Sequence, residues 1–369
     1  MAERNRSAVL QKLKFLKVYS VLKSELLRDP DFEFDEYSRR WVERMLDYFV
    51  PRGNLKKGLS VAKSYRHLKE GKEVTESEDF IASVLGWCIE LLQAYVQALD
   101  AIIHEAQLPS DKPYRFELSK DAKVTANDGI FLRSYITRIL IKHLKGKPYY
   151  ADIVDLFNEV EFQMGSGNMI YLIATGYGEK DLSKYSMPLY RRMVQYKITY
   201  HSYYLPAACA LLMSGEDLED HIDAKKILVE MGIYFQVQDD YADCFGDPKK
   251  TRKVNSDSQL TTIGTDIQDF KCSWLVVKAL ELCNEEQKKV LTDHYGKDSP
   301  EAVAKVKALY YELNLQRAFV EYEAKAYQKL MASIESHPSK PVQALLKSFL
   351  SKGYKKLELD VIFSGLRIS

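Results

Sequence analysis

An all-α fold is predicted by three observations. Apolar residues recur at helical spacing along nearly the whole chain, no stretch alternates as a half-buried strand does, and most links between periodic segments are short. Short links favour antiparallel neighbours, so the expected architecture is a helix bundle whose sites are built by side chains from facing helices. No short repeat appears.

The elements follow in order. The first helix is expected over Ser7–Arg28. Its basic opening, MAERNRSAVLQKLKFLKVYS, lacks the apolar run and cleavage site of a secretory signal; it reads as an amphipathic helix, with a weak mitochondrial address as the competing reading. Asp35–Phe49 and Ser77–Ala106 are the next helices. Between them, Arg52–Arg66 places Lys56, Lys57, Lys63 and Arg66 near a helix start. The polar segment Gln107–Ala126, with its prolines and charges, is expected as an ordered loop over one end of the bundle. Helices are then expected at Asn127–Leu144, Tyr149–Ile173, Leu182–Ile198, Ser202–Leu212 and Ala224–Cys244. Lys249–Ile263 is basic, then rich in Ser and Thr, and reads as an insertion or as a mobile lid over whatever precedes it. Ile267–Leu282, Glu285–His294, Pro300–Leu313, Gln316–Ser333 and Pro341–Ser351 complete the bundle. Lys197 and Lys271 each read as a surface charge or, if several lysines converge, as a point charge on a polyphosphate.

Composition narrows the function classes. At 369 residues without a Pro/Gly/Ser-rich linker, one domain spanning residues 1–369 is the simplest organisation, and 46% hydrophobic residues are ample for a core. A net charge of +1 argues against nucleic-acid binding, which needs a clustered basic excess. Five cysteines without CxxC spacing argue against a disulfide framework or a zinc site and suit a reducing compartment, so a cytoplasmic location is expected. No membrane span is expected, because the longest apolar runs, around Ala207–Met213, suit a buried helix.

The stretch Tyr234–Pro248, YFQVQDDYADCFGDP, carries the chemistry. Asp239, Asp240 and Asp243 fall at i, i+1 and i+4 of an apolar helix, which sets Asp239 and Asp243 on one face with Asp240 close by. Unpaired, such carboxylates would repel one another and resist burial. A hard cation such as Mg²⁺ removes the conflict and leaves positions for substrate phosphates. A solvated acidic turn ahead of Gly246-Asp247-Pro248 is the other reading of the same string.

The strings LGWCIELLQA, YHSYYLPAA, AKKILVEMGIYFQVQDDYADCFGDP and GTDIQDFKCSWLVVKAL resemble those of farnesyl diphosphate synthases, the trans-isoprenyl diphosphate synthase family, in the same order from about Arg52 to about Lys356. The resemblance implies an isoprenoid-synthase helical bundle around a deep central cavity, usually a homodimer. It also implies joining of an allylic diphosphate to isopentenyl diphosphate with three Mg²⁺ held between two Asp-rich motifs. It makes Asp239, Asp240 and Asp243 the second of these motifs, assigns Lys197, Lys271, Lys57 and Gln236 to diphosphate, and makes Tyr95 and Val96 the cavity floor.

Several positions depart from the family pattern. The first motif, DDxxD, reads Asp100-Ala101-Ile102-Ile103-His104, followed by Glu105, so Asp100 with Glu105 is the remaining candidate metal pair on that side. GKxxRG reads Gly53-Asn54-Leu55-Lys56-Lys57-Gly58, and the paired arginines after the first motif fall at Pro109 and Ser110. The threonine after Lys197 is Ile198, and the lysine before GTDIQD is Thr262. Each lost charge-assisted contact costs about 1.5–3 kcal/mol, so binding of a second diphosphate is expected to be weak. The resulting expectation is a class I terpene synthase: ionisation of one allylic diphosphate, most simply farnesyl diphosphate, to a sesquiterpene hydrocarbon or alcohol. Aromatic residues such as Tyr95, Phe162, Tyr200 and Phe235 would line the cation pocket or form ordinary core. The alternatives are a prenyltransferase that keeps the parental coupling, regular or irregular, and a catalytically degenerate subunit that dimerises with an active relative.

Overall fold

A computed structural model describes residues 2–51, 55–103, 122–175, 180–246 and 264–354. Among these residues every regular element is helical, as the periodicity predicts. In chain order they are α1 (Ala2–Leu27), α2 (Glu36–Phe49), α3 (Lys56–Leu68), α4 (Glu76–Ile103), α5 (Ala122–Leu144), α6 (Tyr150–Thr175) and α7 (Met187–Val194). A π-helical segment, Gln195–Tyr204, leads into α8 (Leu205–Met213), followed by α9 (Ile222–Phe245), α10 (Thr265–Gln268) and α11 (Trp274–Leu282). The chain continues through α12 (Glu285–His294), α13 (Pro300–Glu312), α14 (Leu315–Ser336) and α15 (Lys340–Tyr354).

Many helix starts are fixed by residues that accept the otherwise unpaired N-terminal amides. Asp35 accepts from the Ser38 amide at 2.7 Å to begin α2, and Asn284 and Gln287 form a reciprocal capping box at α12. Ser186 and Ser299 cap α7 and α13, each with a proline in the first turn, where its missing N–H costs nothing.

The residues group into two compact units, Met1–Glu159 with Leu205–Asp220, and Val160–Tyr204 with His221–Ser369. In the first unit α8 is apolar and buried on every side and packs against α3 and α4. Trp87 is fully buried, stacks on Phe15 at 4.4 Å and donates its indole N–H to the Phe15 carbonyl at 2.8 Å. Its polar atom is thus satisfied inside the core. In the second unit α9 is central, flanked by the π-helical segment, α7, α11, α14 and α15. Tyr190, Tyr234, Trp274, Tyr310 and Phe319 are almost completely buried there.

Several sequence expectations are corrected. The two helices expected at Leu182–Ile198 and Ser202–Leu212 are one continuous helical run whose middle is π-wound. The helix expected over Ile267–Leu282 breaks at Asp269–Ser273, where Phe270 adopts φ 52° and Ser273 caps α11. Within the expected loop Gln107–Ala126, the chain is already helical from Ala122; residues 104–121 lie outside the described residues, as does the expected lid at 249–263. One segment, Glu76–Leu99, is long and apolar enough to cross a membrane, contrary to the expectation that none would be, and 72% of its most apolar window is buried inside the protein.

Candidate active site

In the second unit α9 carries the Asp-rich string to its C-terminal end, and the three aspartates have different surroundings. Asp240 is buried, 1% exposed, and both of its oxygens are fully engaged. One oxygen accepts from the Tyr190 hydroxyl and the Trp274 amide, each at 2.9 Å. The other accepts from the Gln236 amide at 2.8 Å and from the Lys271 ammonium at 3.0 Å. Asp240 is therefore the anchor that ties α7, α9 and the start of α11 together, and it has no lone pair left over for a further ligand. Asp243 accepts from the Thr265 hydroxyl at 2.7 Å and the Asp266 amide at 3.0 Å, while its carbonyl accepts from the Gly264 amide at 2.8 Å. Asp239 is exposed on the same face as Asp243.

Lys271 joins the cluster through the break between α10 and α11. Its ammonium lies 2.8 Å from Asp266 and 3.0 Å from Asp240, with 29% of the side chain exposed. Burial works against its charge, but Asp240 and Asp266 outweigh burial and hold its pKa above that of an ordinary lysine. Burial pushes the Asp266 carboxyl up to about 7, opposed by Lys271 and reinforced by Asp240 and Asp243. The loop that carries Lys271 is braced from both sides. Tyr185 donates to the Phe270 carbonyl and Tyr295 to the Lys271 carbonyl, each at 2.6 Å.

Lys197 sits on the π-helical segment, where its ammonium lies 4.0 Å from the centre of the Tyr171 ring. Two glycines admit this wider segment. A Cβ on Gly167 of α6 would meet the Lys197 amide nitrogen at 2.4 Å, and one on Gly232 of α9 would meet Thr199 Cγ2 at 2.4 Å. Single π turns inside helices recur at functional sites because they re-aim side chains that an α-helix would point elsewhere. Tyr200 and Phe235 are buried, and Phe235 stacks on Tyr203 at 5.5 Å. Burial and the nearby Asp239 carboxylate push the Tyr203 hydroxyl well above its usual range. Phe162 is 73% exposed on α6, so it lies on the surface and does not line an enclosed pocket.

In the first unit Lys57 opens α3 and donates to the Gln93 side chain of α4. Glu90, one turn before Gln93, accepts from the Gly58 amide at 2.7 Å. Burial lowers the Lys57 ammonium to about 8, offset in part by Glu90, whose own carboxyl burial raises. Tyr95 and Val96 are half-buried on α4, and Tyr95 faces Gly129 of α5, where a Cβ would lie 3.5 Å from its ring. The Asp100 side chain, His104 and Glu105 lie outside the described residues.

Sequence reasoning thus identified Asp239, Asp240, Asp243, Gln236 and Lys271, which the second unit brings together. It missed Tyr190, Trp274, Thr265 and Asp266 as their partners, and Gln93 and Glu90 as partners of α3. Asp266 and Gln93 stand inside the strings GTDIQDFKCSWL and LGWCIELLQA. Tyr190, by contrast, reads as one core tyrosine among 25.

The donor set at the end of α9 is entirely carboxylate oxygen. Asp239 and Asp243 supply oxygens of the kind a hard cation takes, whereas Asp240 is committed to the protein. Among the described residues no group of three or more His, Cys, Asp or Glu side chains is arranged to hold a metal by itself.

The polyprenyl synthetase family model matches residues 39–313. Farnesyl pyrophosphate synthase 1 of Lupinus albus is 64% identical over 342 residues, 93% of this chain and 97% of that protein. The farnesyl pyrophosphate synthase of Panax ginseng is 63% identical over 345 residues, 94% and 98% of the two chains. Among solved structures, a T. brucei farnesyl diphosphate synthase complexed with homorisedronate superposes with a TM-score of 0.83 at 28% identity, covering 93% of this chain and 99% of that one. These similarities bear out the all-α isoprenoid-synthase fold. They overturn the terpene synthase expectation, because near-full-length relatives at this identity are prenyltransferases by name and not sesquiterpene-forming lyases.

Proposed function

Because the chain belongs to the polyprenyl synthetase family, we propose that it is a prenyltransferase of the farnesyl diphosphate synthase type, joining an allylic diphosphate to isopentenyl diphosphate. The observation that carries this reading is identity of 64% over 97% of a farnesyl pyrophosphate synthase. In the reaction the allylic C–O bond breaks and its electron pair leaves with diphosphate. The terminal double bond of isopentenyl diphosphate then forms the new C–C bond, and a proton is lost to restore an alkene.

Magnesium, held by Asp239 and Asp243, would neutralise the diphosphate and stabilise it as a leaving group. The chain's own residues do the rest. Lys271, fixed between Asp240 and Asp266, presents a permanent positive charge to the departing diphosphate. Lys197 adds a second cation from the π-helical segment, and Gln236 holds Asp240 in register. Tyr200 and Phe235 offer aromatic faces to an allylic cation. Lys57 at the start of α3, beside Gln93, is the residue proposed for the diphosphate of the second substrate, where helix-start amides also favour an anion. Its lowered pKa makes it the cation most sensitive to alkaline pH.

A homodimer is part of the proposal. Phe162, Met169 and Ile173 stand 73%, 60% and 67% exposed along one face of α6, an apolar stripe that a second copy would cover.

The test is incubation with geranyl diphosphate, labelled isopentenyl diphosphate and Mg²⁺, with products resolved by chain length. Label should enter a C15 diphosphate, and chelation of Mg²⁺ should abolish it. A folded protein that incorporates no label into a C15 diphosphate would overturn this reading.

A further inference from the structure

A groove of about 440 Å³ in the second unit runs between α9 and α14 and ends at α7, away from the Asp-rich turn. Its volume falls within the range of small-molecule sites, about 300–1,000 Å³. The floor is apolar: Ile227 and Leu330 are buried, and Ala326 and the Tyr322 ring continue the surface between them. The rim is cationic. Arg191 is paired with Glu230 across the groove, and Lys226 lies 3.1 Å from Asp223. Lys325 and Lys329 follow one another at i and i+4 on α14, both exposed, and no acidic side chain among the described residues pairs with either. The nearest candidate along the helix, Glu321, is held by Arg317 at 3.0 Å.

Two like charges at i and i+4 destabilise a helix unless something neutralises them. Here they stand over an apolar trough, so the ligand that relieves the repulsion and covers the floor has an anionic head and a hydrocarbon body. The geometry points to a second binding site, on the α9–α14 groove, for an isoprenoid diphosphate. Its head is placed at Lys325 and Lys329 and its first prenyl units lie over Ala326, Leu330 and Ile227. The assignment rests on the prenyltransferase reading for the choice of ligand, and on the groove alone for its existence.

Binding of farnesyl thiolodiphosphate, which resists ionisation, is measured by calorimetry on the full chain in EDTA, so that metal-dependent binding at the Asp-rich turn is silenced. Saturable binding is expected. The double variant Lys325→Glu and Lys329→Glu should weaken it about tenfold or more, since it removes two charge-assisted contacts. Ala326→Trp, which fills the floor and keeps every charge, should weaken it comparably, and circular dichroism should show both variants as helical as the parent. Absence of binding in EDTA, or binding indifferent to both variants, overturns the assignment. Equal affinity for inorganic pyrophosphate overturns it by showing that charge alone suffices. Competition by vesicles of anionic lipid overturns it in favour of a membrane surface. If this binding is present and isopentenyl diphosphate is not consumed, only the prenyltransferase reading fails; if coupling proceeds and this binding is absent, only the groove assignment fails.

Discussion

Adjacent aspartates in the Asp-rich string should respond in opposite ways to the same change. Asp240→Asn replaces one carboxylate oxygen by an NH2 group, and every contact of Asp240 is with a donor. With the NH2 turned toward Tyr190 and Trp274, the tyrosine hydroxyl can rotate to accept, but the Trp274 amide cannot. Turned the other way, Gln236 can flip its amide, but the Lys271 ammonium has no lone pair to offer. Either orientation leaves one buried donor unmatched and removes the negative charge that Lys271 faces at 3.0 Å. Breaking a buried ion pair costs about 3–5 kcal/mol. Lys271 keeps Asp266 at 2.8 Å and is 29% exposed, so the lower end, about 3 kcal/mol, is expected. Asp239→Asn, one residue away and exposed, should cost clearly less stability than Asp240→Asn while lowering the coupling rate. Urea unfolding followed by far-ultraviolet circular dichroism measures both variants. Equal stability of the two, or an Asp240→Asn midpoint matching the parent, would refute the division of labour between anchor and metal ligand.

Gly167→Ala should cost about 1–3 kcal/mol, because its Cβ would meet the Lys197 backbone nitrogen at 2.4 Å, and should raise KM for the allylic substrate by moving Lys197; steady-state kinetics beside thermal unfolding check this. Glu78, with 28% of its side chain exposed, is held at about 2 by Lys69, Tyr65 and the Thr75 amide. Its pKa is depressed on folding, so its contribution is fully present above about pH 4.5 and is lost as the pH falls toward 2. Glu78→Gln should therefore lower stability at pH 7 by about 1–2 kcal/mol and flatten the acid limb of stability against pH over that window. Met169→Glu with Ile173→Glu should leave the protein folded but monomeric by light scattering if α6 is the dimer face.

The helical class was legible because it depends on periodicity, which each segment carries by itself. The π-helical turn was not legible, because its cause is distributed among other elements. Gly167 on α6 and Gly232 on α9 leave room for a wider segment, and nothing in Gln195–Tyr204 announces that its neighbours have made the space. The same holds for the break at Asp269–Ser273. Its apolar residues continue the helical pattern, yet Tyr185 and Tyr295, far away in sequence, hold the intervening carbonyls in an open turn. In both places tertiary contacts override local propensity, as expected where a lysine must be aimed.

The chemistry was legible as a set of residue types but not as a division of roles. Three carboxylates at i, i+1 and i+4 all read as metal ligands, although spacing sets the Asp239–Asp243 face apart from Asp240. What spacing cannot show is that Tyr190 and the Trp274 amide wait behind Asp240 and consume it. A similar limit explains the wrong reaction class. Counting altered positions treats each as an independent loss of binding energy, which holds only where the partners of the altered residue are unchanged. Lys57 illustrates the failure: it is braced on Gln93 beside Glu90, so its cost depends on a local network that the motif string does not contain. Identity of 64% over nearly the whole of a farnesyl pyrophosphate synthase samples that network at every position at once, and for that reason it outweighs the altered motif.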